Sequence, residues 1–245
     1  MSFLEHLEEL RGRLIRSLVA LVIGTLFCWG FRTQIFRFLT QPLRQSLPGV
    51  QFIAIAPAEA FLLYMKMAVF VGIFVAMPYV LYQVWAFVSP GLHAHERRYV
   101  LPFIFFGSLF FIGGGLFGHY LLFPMTFGFL ATFGGEEIKL MPRVEEYFSF
   151  YSWFLLGIGL IFQTPVVIFV LSRIGLVTPR FLLRHFKYAV LIAFIVAAVI
   201  TPTPDAVTQS ALALPMLGLY LLGVLVAWLF GRPRRTPADD APPAG

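Results

Sequence analysis

Six apolar segments separated by short polar stretches make up most of this 245-residue chain. They cover residues 14–31, 60–88, 99–123, 148–171, 188–200 and 206–230. A helix needs about 20 mostly apolar residues to cross a hydrocarbon core about 30 Å thick. Only 12% of the residues are charged and 59% are hydrophobic, whereas an ordinary soluble domain is roughly a quarter charged. The pattern predicts an all-α polytopic membrane protein with six transmembrane helices.

The last two segments have only short uninterrupted apolar stretches. The fifth has 13 residues, which at 1.5 Å per residue reach only about 20 Å. The sixth opens with the polar trio Thr208, Gln209 and Ser210. We therefore expect short fifth and sixth helices, which would thin the bilayer locally or be covered by other protein.

Basic residues in the connecting segments indicate the orientation. With the N terminus inside, the inner segments hold twelve Lys and Arg and the outer segments hold five. Because cytoplasmic loops are enriched in these residues, both termini are predicted to be cytoplasmic. The net charge of +6 is spread over clusters between apolar runs, which suits a membrane surface better than nucleic acid.

The outer connections, 32–59 and 124–147, are long enough to cap the bundle. The second carries Glu136, Glu137, Glu145 and Glu146, which we interpret as a solvated face. Lys66, inside the second segment, is expected to snorkel to the outer surface. The chain divides into a six-span domain, 1–231, and a Pro- and Ala-rich tail, 232–245, that should be disordered.

Three glutamates precede the first apolar segment in MSFLEHLEELRGR. Ser2 and Glu5 form a capping-box pattern, and apolar residues recur at helical spacing, so residues 2–13 are predicted to form an amphipathic helix that runs into the first span. Local ion pairs would account for two of the acids, Glu8 with Arg11 and Glu9 with Arg13.

Signatures of common chemistries are missing from the sequence. It holds no GxxxxGK[ST] phosphate loop, no HExxH and no GxSxG. His93, His95 and Glu96 fall within four residues of one loop, which is too close to complete a tetrahedral metal site. We therefore expect no enzyme activity, no cofactor and no metal.

Gln163 is the polar residue deepest within a span, and Pro165 follows two residues later. Two interpretations are open. The side chain forms an interhelical hydrogen bond, or it lines a cavity that is open to water or substrate.

Three stretches together resemble the TatC family of the twin-arginine protein translocase. They are HLEELRGRL at 6–14, FVSPGLHAHERR at 87–98 and TPTPDAVTQ at 201–209. The resemblance covers nearly the whole chain. It implies a concave, cup-like bundle in the bacterial inner membrane. It also implies a receptor that binds twin-arginine signal peptides of folded precursors for export driven by the proton motive force.

The resemblance also assigns roles to residues. Glu9 and Glu96 would receive the arginine pair, with the site shaped by Phe87, Pro90 and Leu92 and the carboxylates held by Arg11 and Arg97. Carboxylates suit this task because they accept a guanidinium fork bidentately, whereas lysine offers only a point charge.

Other family positions concern partners and the membrane interior. Relatives commonly carry a glutamate where this chain has Gln163, so a mechanism that needs proton uptake there is not expected. Thr201, Thr203 and Gln209 fall where the family docks the single-span subunits TatA and TatB. Assembly with further TatC copies is also implied.

Two rival functions predict features that the sequence does not display. A small-molecule secondary transporter usually carries intramembrane charges and internal symmetry. An intramembrane enzyme would need a catalytic pair such as Ser152 and His119, which lie in different spans.

Overall fold

The computed structural model describes residues 3–46, 56–88, 100–132, 143–201 and 205–231, and their regular structure is helical. The helices are α1 (Phe3–Trp29), α2 (Arg32–Ser46), α3 (Pro57–Val88), α4 (Val100–Phe117), a π-helical turn (Gly118–Leu122), α5 (Phe123–Thr132), α6 (Val144–Ile161), α7 (Thr164–Arg173), α8 (Pro179–Arg184), α9 (Phe186–Ile200) and α10 (Ala206–Phe230). The predicted all-α class is confirmed. The tail at 232–245 lies outside the described residues.

Five helical stretches are long and apolar enough to cross a membrane, and α9 is a shorter apolar helix. With 15 residues, α9 is about 22 Å long, as expected for the fifth span. The sixth span has the predicted bounds, since α10 is one helix of 25 residues from Ala206 to Phe230. Its polar first turn does not delay the helix: the Asp205 carboxylate caps it by accepting a 2.6 Å hydrogen bond from the Thr208 N–H.

The third span extends further than the sequence indicated. Its helical path passes Pro124 and ends at Thr132 rather than near residue 123. The turn before the proline is π-helical, and the Phe123 N–H bonds to the Gly118 carbonyl, five residues back. This wider turn makes room for the proline ring, which would clash with a carbonyl in a regular α-helix.

The fourth span breaks between α6 and α7. Pro165 has no N–H to bond with the carbonyl of Ile161, four residues earlier. The Thr164 hydroxyl donates to that carbonyl instead, at 2.6 Å. Gln163 lies at the break, immediately before α7.

Helix α1 runs without a break from Phe3 to Trp29. The segment predicted as an amphipathic helix at 2–13 therefore supplies the first turns of the first spanning helix. Gly24 of α1 lies against Gly72 of α3: a Cβ on Gly24 would be 3.0 Å from the Gly72 carbonyl oxygen. Residues without side chains let two membrane helices approach this closely.

Residues 32–46 of the first outer connection form α2, whose apolar side lies on the bundle. Leu39 and Leu43 are fully buried, and the Tyr147 hydroxyl of α6 donates to the Leu39 carbonyl at 3.0 Å. The expected cap is thus a helix. A cavity of about 360 Å³ lies between α2, α3, the end of α4 and α6.

Ion pairs join α3 to α6 at the same end of the bundle as α2. The Lys66 ammonium is 2.6 Å from a Glu145 carboxylate oxygen. Arg143 lies 3.3 Å from Glu59 and 3.0 Å from Glu146, and the hydrogen bond to Glu59 raises its pKa.

These pairs add to two predictions. Lys66 is exposed at the outer end, where it pairs with Glu145, and the exposed Glu145 and Glu146 both take part in ion pairs. Glu136 and Glu137 lie outside the described residues.

Candidate functional site

Two contacts between α1 and α3 show at which end of the bundle Glu9 lies. Trp29 of α1 meets Phe61 of α3 with ring centroids 5.6 Å apart, and Gly24 meets Gly72, so the helices are antiparallel. Glu9 and Phe87 each lie 15 residues from that glycine contact, on the same side of it. At 1.5 Å per residue, both are about 22 Å from it. Glu9 and Phe87 therefore share one end of the bundle, called the inner end below; the opposite end, with α2, is the outer end.

Helix α4 begins at this same end of the bundle. Trp85 of α3 lies 4.8 Å from Phe103 of α4 between ring centroids, and Leu81 covers Gly107. This antiparallel register places Val100 opposite Val88. The connecting residues include the predicted site residues Pro90, Leu92, Glu96 and Arg97, all of which lie outside the described residues.

Glu9 is held by Arg13, one turn later on α1. The carboxylate oxygen Oε1 accepts hydrogen bonds from both Nε, at 3.0 Å, and Nη2 of the guanidinium. The other oxygen, Oε2, accepts no hydrogen bond among the described residues. Glu9 is 23% exposed and Arg13 19% exposed. Oε1 of the carboxylate is thus held by Arg13, and Oε2 is available to a ligand.

Arg11 does not hold Glu9. Residues two apart project from nearly opposite sides of a helix, whereas residues four apart share a face. The side chain of Arg11 is exposed, and the expected pair between Glu8 and Arg11 is absent from the ion pairs of the described residues. The arginine that contacts the Glu9 carboxylate is thus Arg13 and not Arg11. The sequence spacing already contained this signal, since a Glu9–Arg13 pair was predicted.

Gln163, at the break in the fourth span, forms a hydrogen bond to the third span. Its Nε2 donates a 2.8 Å hydrogen bond to the Gly107 carbonyl of α4, and the side chain is 7% exposed. It is not part of the wall of the 360 Å³ cavity. The interhelical hydrogen bond of the first interpretation is present, and Oε1 has no partner in the described parts of the chain.

The predicted partner-docking residues bond within the chain. The Gln209 amide donates to the Phe194 carbonyl of α9 at 3.0 Å, and the Thr201 hydroxyl donates to the Ala197 carbonyl at 2.7 Å. Thr203 lies outside the described residues. Neither Thr201 nor Gln209 needs a partner helix to satisfy these donors.

The catalytic pair considered for an intramembrane enzyme does not form. The Ser152 hydroxyl donates to the Ser149 carbonyl. His119 bonds instead to the Tyr151 hydroxyl through Nδ1, at 2.5 Å, a contact that no sequence spacing had signalled. Among the described residues, no group of three His, Cys, Asp or Glu side chains could hold a metal ion.

The model of one protein family matches residues 5–215, and its description is Sec-independent protein translocase protein (TatC). The chain belongs to the TatC family. As a TatC-family member it is a multi-pass protein of the bacterial inner membrane, and the resemblance drawn from its three motifs is confirmed.

Individual relatives match over nearly their whole length. The chain is 40% identical to the Sec-independent protein translocase protein TatC of Koribacter versatilis, over 98% of this chain and 91% of that protein. It is 35% identical to the TatC of Aquifex aeolicus, over 96% of this chain and 98% of the relative.

Two solved structures of a twin-arginine translocase receptor, TatC, share the fold. Each is 34% identical and covers 91% of this chain, with TM-scores of 0.75 and 0.77. The matches cover 98% and 99% of those chains. They support the six-helix architecture of this TatC-family protein.

Proposed function

We propose that this chain is the receptor subunit of a twin-arginine translocation system. It binds twin-arginine signal peptides of folded precursor proteins and recruits TatA- and TatB-type subunits for export driven by the proton motive force. The observation that carries the proposal is the similarity to solved twin-arginine translocase receptors over 91% of the chain, at a TM-score of up to 0.77.

Glu9 is the first of the two carboxylates proposed to receive the arginine pair. Its free oxygen, Oε2, can accept an incoming guanidinium while Arg13 holds Oε1. Side-chain freedom that is already restricted need not be lost again on binding. Arg13 is thus proposed as a positioning residue for the site.

Glu96 is proposed as the second carboxylate, held by Arg97, with Phe87, Pro90 and Leu92 shaping the loop around it. The support is positional: Val88 and Val100, which flank this loop, lie at the same end of the bundle as Glu9. A loop whose two ends lie at this end of the bundle can bring a second carboxylate to a peptide bound at Glu9.

The magnitude of the ionic contacts limits what they can do alone. Charge-assisted hydrogen bonds are worth about 1.5 to 3 kcal/mol each, so two clamps give on the order of 3 to 6 kcal/mol, a dissociation constant near or below the millimolar range. The apolar part of the signal peptide must supply the remaining affinity by lying along the bundle. The carboxylates therefore provide selectivity for arginine more than total affinity.

TatA and TatB helices are proposed to pack against α9 and α10, near Thr201 and Gln209, and Thr203 belongs to the same predicted set. Because Thr201 and Gln209 already bond within the chain, the contact would be made mainly by apolar side chains. Ile192, Ile195 and Val199 of α9 are all exposed. The short α9, of about 22 Å, would also leave the bilayer thinned at this face.

The proposal is tested by measuring the binding of a twin-arginine signal peptide and its Lys-Lys variant to the purified protein. We expect tighter binding of the arginine peptide, and loss of that preference in Glu9→Gln and in Glu96→Gln. Glu8→Gln is the matched control, since Glu8 is exposed and has no ion pair among the described residues. Equal binding of the two peptides by the unmodified protein would overturn the receptor function. A preference that survives in both variants would overturn only the site.

A further inference from the structure

The cavity beneath α2 opens to the surface at the outer end of the bundle. Phe38 of α2 and Leu116 of α4 form part of its wall, and both side chains are more than a third exposed. The wall is otherwise apolar apart from Gln34, His119 and Tyr151. A volume of about 360 Å³ is suited to a segment of hydrocarbon chain.

The exposed face of α2 beside this opening is cationic. Arg37 and Arg44 are seven residues apart, so they project from the same side of the helix, and Gln34 at the cavity wall is one turn before Arg37. Both arginines are exposed, and neither forms an ion pair among the described residues. Arg32, by contrast, lies 5.5 Å over the Trp29 ring.

The carboxylates that the structure describes on α3 and α6 at this end do not pair with Arg37 or Arg44. Glu145 is paired with Lys66, and Glu59 and Glu146 are paired with Arg143. An anionic ligand would therefore be attracted to α2, while a cationic one, such as a basic signal peptide, would be repelled.

We propose that α2 and the cavity form a binding site for one anionic phospholipid of the outer leaflet. Arg37 and Arg44 bind the headgroup phosphate, and an acyl chain enters the cavity between Phe38 and Leu116. An amphipathic helix with arginines on its polar face is a common way to recognise anionic lipid at a membrane surface.

A buried polar atom fits the same ligand. His119 lies in the cavity wall with Phe38 stacked on its ring, at 4.3 Å between centroids. Its Nδ1 bonds to Tyr151, but Nε2 has no partner in the described residues. In the tautomer in which the Tyr151 hydroxyl donates to Nδ1, Nε2 carries the proton and can donate to an ester oxygen of the lipid, between headgroup and chains.

The test is lipid titration of the detergent-purified protein by native mass spectrometry, using phosphatidylglycerol and phosphatidylethanolamine with identical dioleoyl chains. We expect a preference for phosphatidylglycerol that disappears in Arg37→Gln/Arg44→Gln. Surface cations contribute roughly fivefold each to anionic-lipid affinity, so the double variant should bind this lipid about 30-fold more weakly. Arg180→Gln/Arg184→Gln, which removes two exposed arginines from α8 at the inner end, should retain the preference.

A second pair of variants tests the cavity. Val71→Phe places a larger side chain in the cavity wall and should weaken the binding of both lipids. Val75→Phe, one turn further along α3 at an exposed position, should bind them as the unmodified protein does.

Two outcomes would overturn the proposal. The first is a phosphatidylglycerol preference that persists in Arg37→Gln/Arg44→Gln. The second is unchanged lipid binding in Val71→Phe.

Discussion

Glu9 and Arg13 lie one turn apart on α1, and the guanidinium bonds to a single oxygen of the carboxylate. The pair is partly exposed, so its contribution to stability is small, about 0.3 to 0.5 kcal/mol for an i,i+4 pair. Its proposed importance is geometric, because it orients the carboxylate and leaves Oε2 open at the inner end of the bundle.

This geometry predicts different effects of two neighbouring arginines. Arg13→Gln should weaken binding of a twin-arginine peptide several-fold, because the Glu9 carboxylate loses its orientation. Arg11→Gln removes the same charge from the same helix and should have a smaller effect. The measurement is peptide titration at two salt concentrations, so that general electrostatic attraction, which salt screens, can be subtracted. Equal losses in both variants would show that Arg13 acts only through its charge.

The sequence predicted the helices well and their interruptions poorly. Hydropathy located every span because lipid requires a continuous apolar helix, and the i,i+4 spacing predicted the pair between Glu9 and Arg13. The extension through Pro124 was missed because it depends on a π-helical turn, which has no simple sequence pattern. The pairing of Lys66 with Glu145, 79 residues apart, required the packing of α3 on α6.

Gln163 should behave as a structural link between two spans. Gln163→Leu removes the hydrogen bond to the Gly107 carbonyl, and interhelical bonds in membranes are worth about 0.6 to 2 kcal/mol. Cys28, the single cysteine, is 3% exposed, so its reaction with a thiol-reactive dye reports unfolding. We expect dye labelling at a lower temperature in this variant.

Measuring export in parallel distinguishes a structural role of Gln163 from a role in transport. A Gln163→Leu protein that is stable at the assay temperature should still export a precursor. Export abolished in a folded Gln163→Leu protein would contradict a purely structural role.

The ion pair between Lys66 and Glu145 should add little to stability despite its short distance. The two side chains are 44% and 43% exposed, and exposed pairs contribute about 0.2 to 1 kcal/mol. A double-mutant cycle with Lys66→Gln and Glu145→Gln should give a coupling energy in this range that decreases in high salt. Cys28 labelling during thermal unfolding supplies the data. A coupling above 2 kcal/mol would mean that the pair is shielded from solvent.

The contact between Gly24 and Gly72 predicts a large effect of a single methyl group. In Gly72→Ala the new Cβ would lie 2.8 Å from the Thr25 hydroxyl oxygen and 2.9 Å from the Thr25 backbone nitrogen. The backbone atom cannot rotate away, so α1 and α3 must separate, at a cost of about 1 to 3 kcal/mol. Gly113→Ala is the control, because a Cβ there meets nothing within 4 Å.

The same substitution tests the link between packing and the proposed receptor site. Glu9 is held beside the end of α3 only through the packing of α1 along α3, so separating these helices moves its carboxylate relative to Phe87. Gly72→Ala should therefore lower both the unfolding temperature, followed by circular dichroism at 222 nm, and the selectivity for the twin-arginine peptide over its Lys-Lys variant. Reduced stability with unchanged selectivity would mean that the position of Glu9 does not depend on the helix contact.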